Sequence, residues 1–299
     1  MPSSSFSGYY KKQMSPPVTV LTLKSKEYPK LLKHISDPPA RLYCRGNISL
    51  LNTECFSVVG TRSMTPYGRE AARSIVPGLA RHFTIVSGMA LGVDAAAQRA
   101  ALDCGGRTIA VLGTAVEKPS PQANYLLAQD ILKHGGLLVS EFKSGEPVFA
   151  SNFAIRDRIL SGLSKGVLVI EADEKSGSLI TARLAAEQGR DVFAVPGNVF
   201  SSKSAGPHKL IRSGAKLATS ANDVLEEYSL LPLDKAHVST EDPVHAAILD
   251  ILETHGPLNI DAIVDHIESD AAQVMAALSL MELQGLVNQM PGGIFRKND

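Results

Sequence analysis

Ser151-Asn152-Phe153-Ala154-Ile155-Arg156-Asp157-Arg158-Ile159, then Val167-Leu168-Val169-Ile170, then Lys175-Ser176-Gly177-Ser178-Leu179-Ile180-Thr181 are the pieces of residues 151–181 that decide the fold. Four consecutive apolar residues, three of them β-branched, leave no polar face, so Val167 to Ile170 reads as a strand covered on both sides. A Ser/Gly turn follows and opens a helix, which is the step that builds a parallel sheet. Ahead of the strand an aromatic ring stands beside two arginines. A phosphate-rich, base-bearing ligand uses all of these parts, and single-stranded nucleic acid is the first candidate.

The same pattern recurs on both sides. Strands are expected at Phe56 to Val59, Phe83 to Val86, Thr108 to Leu112, Leu137 to Val139 and Val192 to Val195, with amphipathic helices such as Tyr67 to Ala80 and Val93 to Ala101 between them. This predicts an α/β fold, an extended Rossmann-like, doubly wound and mostly parallel sheet. The ligand crevice of such a sheet lies outside the carboxyl ends of its strands. The turns that fall there are Gly60-Thr61-Arg62-Ser63, Ser87-Gly88-Met89-Ala90-Leu91-Gly92-Val93-Asp94, Gly113-Thr114 and Glu171 to Ser178. Glycine permits close backbone approach and helix-start amides attract anions, so these turns suggest one phosphate-lined groove.

The remainder divides the chain into a disordered N-terminal segment (1–19), an extension of the core (20–52), the Rossmann-like domain (53–230), a linker (231–242) and a small C-terminal winged-helix domain (243–299). The last is read from three short apolar-striped helices and a hairpin around Pro291-Gly292-Gly293. Formal charge balances at 30 basic and 30 acidic residues, but unevenly. Residues 243–299 hold eight acidic against two basic side chains, which leaves 28 basic and 22 acidic in the body. Its third helix, Asp270 to Gln284, has no Lys or Arg, so this module is expected to contact protein or the cationic body rather than duplex DNA. Cys44, Cys55 and Cys104 show neither metal spacing nor a disulfide framework, and reduced cytosol fits them. No export signal or membrane-spanning run is expected.

Enzyme fingerprints find little support. The first strand-to-helix turn lacks Gly-x-Gly-x-x-Gly, and no Gly-x4-Gly-Lys-Ser/Thr occurs. Gly162-Leu163-Ser164-Lys165-Gly166 matches Gly-x-Ser-x-Gly but precedes a strand, whereas a nucleophile elbow follows one. Arg62 is either a phosphate contact or an ordinary surface arginine. Arg156 and Arg158 line one groove only if their segment is extended; on a helix they diverge. Phe153 is either core or a base platform, Asp157 a partner for a neighbouring arginine, and Asp94 a first-turn residue serving helix-start amides.

With these residues in place the chain resembles the bacterial DNA-processing protein A family, DprA, also called Smf. The resemblance is carried by Tyr28-Pro29, Asp37-Pro38-Pro39, Val58-Val59-Gly60-Thr61-Arg62, Ser87 through Ala97, Asn152-Phe153-x-x-Arg156-Asp157-Arg158-Ile159-x-Ser161-Gly162, Ser176-Gly177-Ser178-Leu179-Ile180-Thr181 and Pro196-Gly197. It implies a cytoplasmic, non-enzymatic homodimer that binds single-stranded DNA without a cofactor and loads the RecA recombinase during natural transformation. Carried over by position, the DNA-binding residues are Gly60, Thr61, Arg62, Ser63, Ser87, Gly88, Asn152, Phe153, Arg156, Arg158, Ser176, Gly177 and Ser178, with Lys175 and Lys203 at the rim.

Two departures stand out. The family's Arg-Asn-Arg is Arg156-Asp157-Arg158 here, which sets a carboxylate beside the expected phosphates. The family's Tyr-Pro-x-x-Asn survives only as Ser120-Pro121-Gln122-Ala123-Asn124. Weaker DNA affinity is expected unless Asp157 points away. The competing readings are a small-nucleotide sensor or nucleoside-monophosphate hydrolase using Glu171 or Asp173, and a structural partner whose pocket has decayed. The apolar positions Val224, Leu225, Tyr228, Leu230 and Leu231 either join subunits or pack the last helix on its own sheet.

Overall fold

The structure is a computed structural model that describes residues 16–230, 242–267, 270–283 and 285–298. The expected disorder of residues 1–15, most of the expected linker (231–241), Leu231 and Gln284 lie outside the described residues. The chain divides into two compact units, Met1–Pro232 and Leu233–Asp299.

In chain order the first unit runs β1 (Val18–Thr22), α1 (Lys30–Lys33), β2 (Arg41–Gly46), β3 (Cys55–Val59), α2 (Pro66–Ala80), β4 (Thr84–Ser87), α3 (Val93–Asp103), β5 (Thr108–Leu112), α4 (Tyr125–Lys133), β6 (Leu137–Ser140), α5 (Ser151–Leu163), β7 (Gly166–Val169), α6 (Ser178–Glu187), β8 (Asp191–Ala194), α7 (Ser202–Arg212), β9 (Lys216–Leu217) and α8 (Ala221–Glu227). All nine strands form one sheet in the order β1-β2-β6-β5-β4-β3-β7-β8-β9. From β6 to β9 the pairing is parallel; β1 and β2 are antiparallel additions beside β6. The chain therefore winds outward from β3 to β6 and returns to wind the other way from β7. β3 and β7 are neighbours, so the strand order reverses between them, and the crevice opens at that point.

Alternation along a strand explains the double cover. On β5, Ile109 and Val111 join a core with Leu160 and Leu163 of α5, while Ala110 and Leu112 join another with Leu102 of α3 and Ile131 of α4. Each buried Val, Leu or Ile side chain among these stabilises the fold by about 1.5–3 kcal/mol. Every residue of β3 is buried, as a central strand requires. At the far side, Phe56 packs at 5.4 Å from Phe83 and 5.8 Å from Phe193 by ring centroids, and Tyr228 closes the group while donating to Asp191 at 3.0 Å. Val224 and Leu225 are fully buried, so the last helix packs on its own sheet.

The N-terminal boundary is corrected. The first strand starts at Val18, inside the segment expected to be disordered, because it pairs antiparallel with β2 from Val18↔Arg45 to Thr22↔Arg41. Tyr28 donates to the Pro39 carbonyl at 2.7 Å, which gives the Tyr-Pro and Asp-Pro-Pro motifs a structural task.

The second unit comprises α9 (Pro243–His255), β10 (Leu258–Asn259), α10 (Ile260–His266), α11 (Ala271–Leu283), β11 (Val287–Met290) and β12 (Ile294–Lys297). Ile248, Leu252, Ile263, Val274, Leu278 and Phe295 are among the residues of its core. The β11–β12 turn places Gly292 and Gly293 at φ of 92° and 71°, which glycine adopts without steric cost. Three helices and a wing are present, joined by the short strand β10 against β12.

Candidate nucleic-acid interface

At the switch point a cavity of about 520 Å³ opens between the loop after β3, the loop after β7 and the start of α5. Gly60, Thr61, Arg62, Ser63, Phe153, Arg156, Lys175, Ser176, Gly177 and Ser178 line it. Glu171 sets its shape. Its carbonyl accepts from the Thr61 amide at 2.6 Å, and its carboxylate accepts from the Thr65 amide at 2.9 Å and the Thr65 hydroxyl at 2.6 Å. Thr65 in turn accepts from Gly68 at 3.3 Å at the start of α2. The loop carrying Arg62 is thus tied down on either side while Arg62 itself stays exposed, with no hydrogen bond or ion pair among the described residues. Its guanidinium carbon lies 5.8 Å from the centroid of the half-buried Phe153 ring. A Cβ on Gly113 would sit 2.8 Å from that ring, so the glycine after β5 is what seats Phe153.

Beneath the ring lies a buried charge network. Arg156 donates to the Gly88 carbonyl at 2.8 Å, to the Val111 carbonyl, and to Asp157 at 3.1 Å. A Cβ on Gly88 would come within 2.3 Å of the guanidinium, so Gly88 is needed for this seat. Asp94, also buried, accepts from the Ala90 amide at 3.3 Å. Burial pushes the Asp94 carboxyl above its ordinary value, against the opposing pull of Arg156. Burial likewise pushes Asp157 up to about 6, with Arg156 again opposing. The arginine is committed to backbone carbonyls and a neighbouring carboxylate, and it supports the cavity wall rather than reaching out of it.

On the opposite side, the Ser176 amide donates to the Asp173 carbonyl at 3.0 Å and the Ser176 and Ser178 hydroxyls lie 2.8 Å apart. α6 begins here with no side-chain cap; the Leu179 and Ile180 amides donate to the Ser176 and Gly177 carbonyls at 3.1 and 2.9 Å, so the Gly177 and Ser178 amides are those that face an anion. A Cβ on Gly177 would meet nothing within 4 Å, so the protein's own packing does not require that glycine. Lys203 donates to Asp173 at 2.6 Å and to Ser63 at 2.8 Å. The Lys203 hydrogen bond holds the Asp173 carboxyl below the usual carboxylate range. Lys175 is exposed and has no such partner among the described residues.

Several expected site residues are placed elsewhere. Arg158 does not join Arg156 in one groove. Both lie on α5, where residues two apart diverge. The guanidinium of Arg158 makes a bidentate pair with Glu141 at 2.5 and 2.7 Å and reaches Asp37 at 3.0 Å, tying the N-terminal extension to the core. Ser87 is fully buried and donates to the Val58 carbonyl at 2.7 Å. Asn152 is buried in the first turn of α5. Gly88 reaches a smaller adjoining cavity of about 130 Å³, which Arg62 and Phe153 also line. Thr181 in the wall was missed by sequence reasoning; it lies one helical turn beyond Gly177 and Ser178, and that spacing could have found it. Of the two carboxylates a hydrolase was expected to use, Glu171 is bonded to Thr65, and Asp173 lies in the wall paired with Lys203. Ser164 is buried against the Ser57 hydroxyl at 2.8 Å, consistent with its place before a strand.

Comparison with known proteins identifies the family. A family model described as DNA recombination-mediator protein A matches residues 19–229, and one described as the DprA winged helix domain matches residues 234–293. The chain is 38% identical over 282 residues to Protein Smf of Escherichia coli, covering 91% of this chain and 75% of that one. It is 45% identical over 201 residues to DNA processing protein DprA of Streptococcus pneumoniae, covering 67% and 71%. The X-ray structure of DprA from Streptococcus pneumoniae superposes with a TM-score of 0.67 at 43% identity, over 72% of this chain and 75% of that one. DNA processing protein A from Helicobacter pylori, whose structure was determined for its single-stranded DNA binding mode, gives 0.64 at 32% identity, over 72% and 98%. A wound sheet with its crevice at the β3–β7 reversal, a motif set running from Tyr28 to Gly197 and a winged-helix unit thus lead to one conclusion: the chain belongs to the DprA/Smf family of DNA processing proteins, which act as recombination mediators.

Proposed function

We propose that this recombination mediator grips an unpaired DNA strand in the switch-point cavity. Arg62 and Lys175 hold phosphates, the α6 amides receive another, and Phe153 offers its face to a base. The observation that carries the reading is Arg62: an exposed guanidinium with no hydrogen-bond or ion-pair partner among the described residues, poised over an aromatic ring between two amide-rich loops. The relative from Helicobacter pylori, described as binding single-stranded DNA, supports the same ligand.

The test is oligothymidine binding by fluorescence anisotropy at several salt concentrations. Arg62→Glu is expected to cost about 100-fold in affinity and to lower the logarithmic salt slope by about 0.7. Arg158→Glu, which disturbs the contacts to Glu141, Asp37 and the Ile155 carbonyl, is expected to lower stability yet leave the slope unchanged. Normal binding by Arg62→Glu would reject the assignment.

The reading is of a binder without turnover, supported by the engagement of both carboxylates a nucleotide hydrolase would draw on: Glu171 with Thr65, and Asp173 with Lys203. Loading of RecA, a homodimer and a cytoplasmic location are part of the same proposal, with family membership as their support. Among the described residues no helix is long and apolar enough to cross a membrane. Val224 and Leu225 are consumed by the core, so a second copy would dock elsewhere. A concentration-independent monomer mass would exclude the dimer, and RecA filament growth indifferent to the protein would exclude the loading role.

A further inference from the structure

The switch-point cavity continues in two directions. Past Lys175, Ser176 and Ile180 it meets a cavity of about 720 Å³ between α6 and α7. Past Arg62 and Ser63 it meets a groove of about 510 Å³ between α2 and α3. The two differ in how their cations are matched. The first holds Lys175, Arg183, Arg190, Lys209 and Lys216 but also Glu174 and Asp191; Lys216 is already bonded to Asp191 and Glu227, Arg183 to Glu187, and Arg190 to the Leu31 carbonyl. The groove is lined by Arg62, Arg69 and Arg99 and by no carboxylate. Even the central cavity, with Asp94, Asp157 and Asp173 in its wall, offers a phosphate a less favourable field.

We infer that the strand held in the central cavity continues along this arginine groove, where Arg69 and Arg99 hold phosphates beyond Arg62; the inference rests on the DNA-binding reading above. Arg69 is exposed near the start of α2, and its guanidinium makes no hydrogen bond or ion pair among the described residues. Arg99 gives one nitrogen to Asp130 at 2.9 Å, with both side chains partly in solvent. Such a surface pair is weak, and it leaves the rest of the guanidinium fork for a second acceptor. Ala95 and Ala96 form a low floor between the arginines, which lets a sugar–phosphate backbone lie close. A polyanion is the ligand that engages several cations in file. A lone phosphate would gain little from the second and third.

The experiment compares full-length protein binding oligothymidines of about 5 and about 15 nucleotides, lengths that bracket the size of one single-strand site. With Arg69→Glu and Arg99→Gln combined, the longer strand is expected to lose about tenfold in affinity and about 1.4 from its salt slope, while the shorter is unaffected. Arg69→Glu alone should remove about 0.7 of slope, and an acid so near a helix start does not harm the fold. Equal loss at both lengths, no loss at either, or loss of the longer strand in Arg183→Glu/Lys209→Glu instead would overturn the inference. Arg62→Glu serves as the separate control. Loss at both lengths there upholds the central site whatever the groove variants do, whereas normal binding would bring down the central site and the groove with it.

Discussion

Two regions of this molecule have shapes associated with nucleic acid, and they differ in chemistry. The crevice between β3 and β7 sets exposed, uncommitted cations beside helix-start amides and a seated aromatic ring. The winged-helix unit has the helices and the wing, but α11 carries no Lys or Arg. Of its two C-terminal cations, Lys297 is bonded to Glu253. The exposed side chains of α11 include Met275 and Leu280 instead. Architecture places a groove or a helix where a ligand can reach it; the donors and charges decide whether a polyanion is accepted.

The sharpest way to break this comparison after Arg62 is to remove the ring. Phe153→Leu keeps an apolar filler against Gly113 but deletes the stacking surface. It is expected to cost about tenfold in oligothymidine affinity, within the 1–3 kcal/mol per stacked base, with an unchanged melting temperature. Unchanged affinity would return Phe153 to the core. A smaller effect tests the buried carboxylate. Asp157 titrates near 6, facing Arg156, Asp94 and Arg62, so acidification through that range removes one negative charge from the cavity. Affinity for a polyanion should rise a few-fold as pH falls through about 6, and Asp157→Asn should bind equally well on both sides of the transition. The stability effect has the same sign. The folded form holds this proton more tightly than the unfolded chain, whose ordinary value is 3.8, so the contribution is present at low pH and lost as pH rises through about 6. A flat wild-type pH profile would remove Asp157 from the site. The smallest expectation belongs to the wing: Arg296→Glu in the full-length chain should leave single-strand affinity within about twofold, because residues 243–299 set eight acidic against two basic side chains and give a polyanion little to hold. A loss comparable to that of Arg62→Glu would erase the distinction between the two regions.

Much of the fold was readable before the coordinates. The run Val167 to Ile170 announced β7, observed as Gly166–Val169, and five of the six other parallel strands fall within a residue or two of the expected ranges; the two-residue β9 had no expected counterpart. Strands buried on both faces leave unbroken apolar runs, and those are hard to mistake. The edge was less legible. β1 shows one fully buried residue in five, and nothing local marks it as a strand until β2 is beside it. The site divides in the same manner. Arg62, Ser63 and the Ser176–Ser178 turn sit at strand ends, where position along the chain nearly determines exposure. Arg158 was misassigned because its partners, Asp37 and Glu141, come from distant segments that sequence spacing does not bring together. Arg69 and Arg99 escaped notice for the related reason that only the packing of α2 against α3 makes them neighbours.

Glu171 has a consequence of another kind. It leaves the end of β7, from the returning half of the sheet, and clasps Thr65 at the head of α2, from the outgoing half. One carboxylate therefore acts as a buckle across the seam where the two windings meet. Force applied to either rim is shared with its counterpart, and an insertion or deletion in one strap would slacken both.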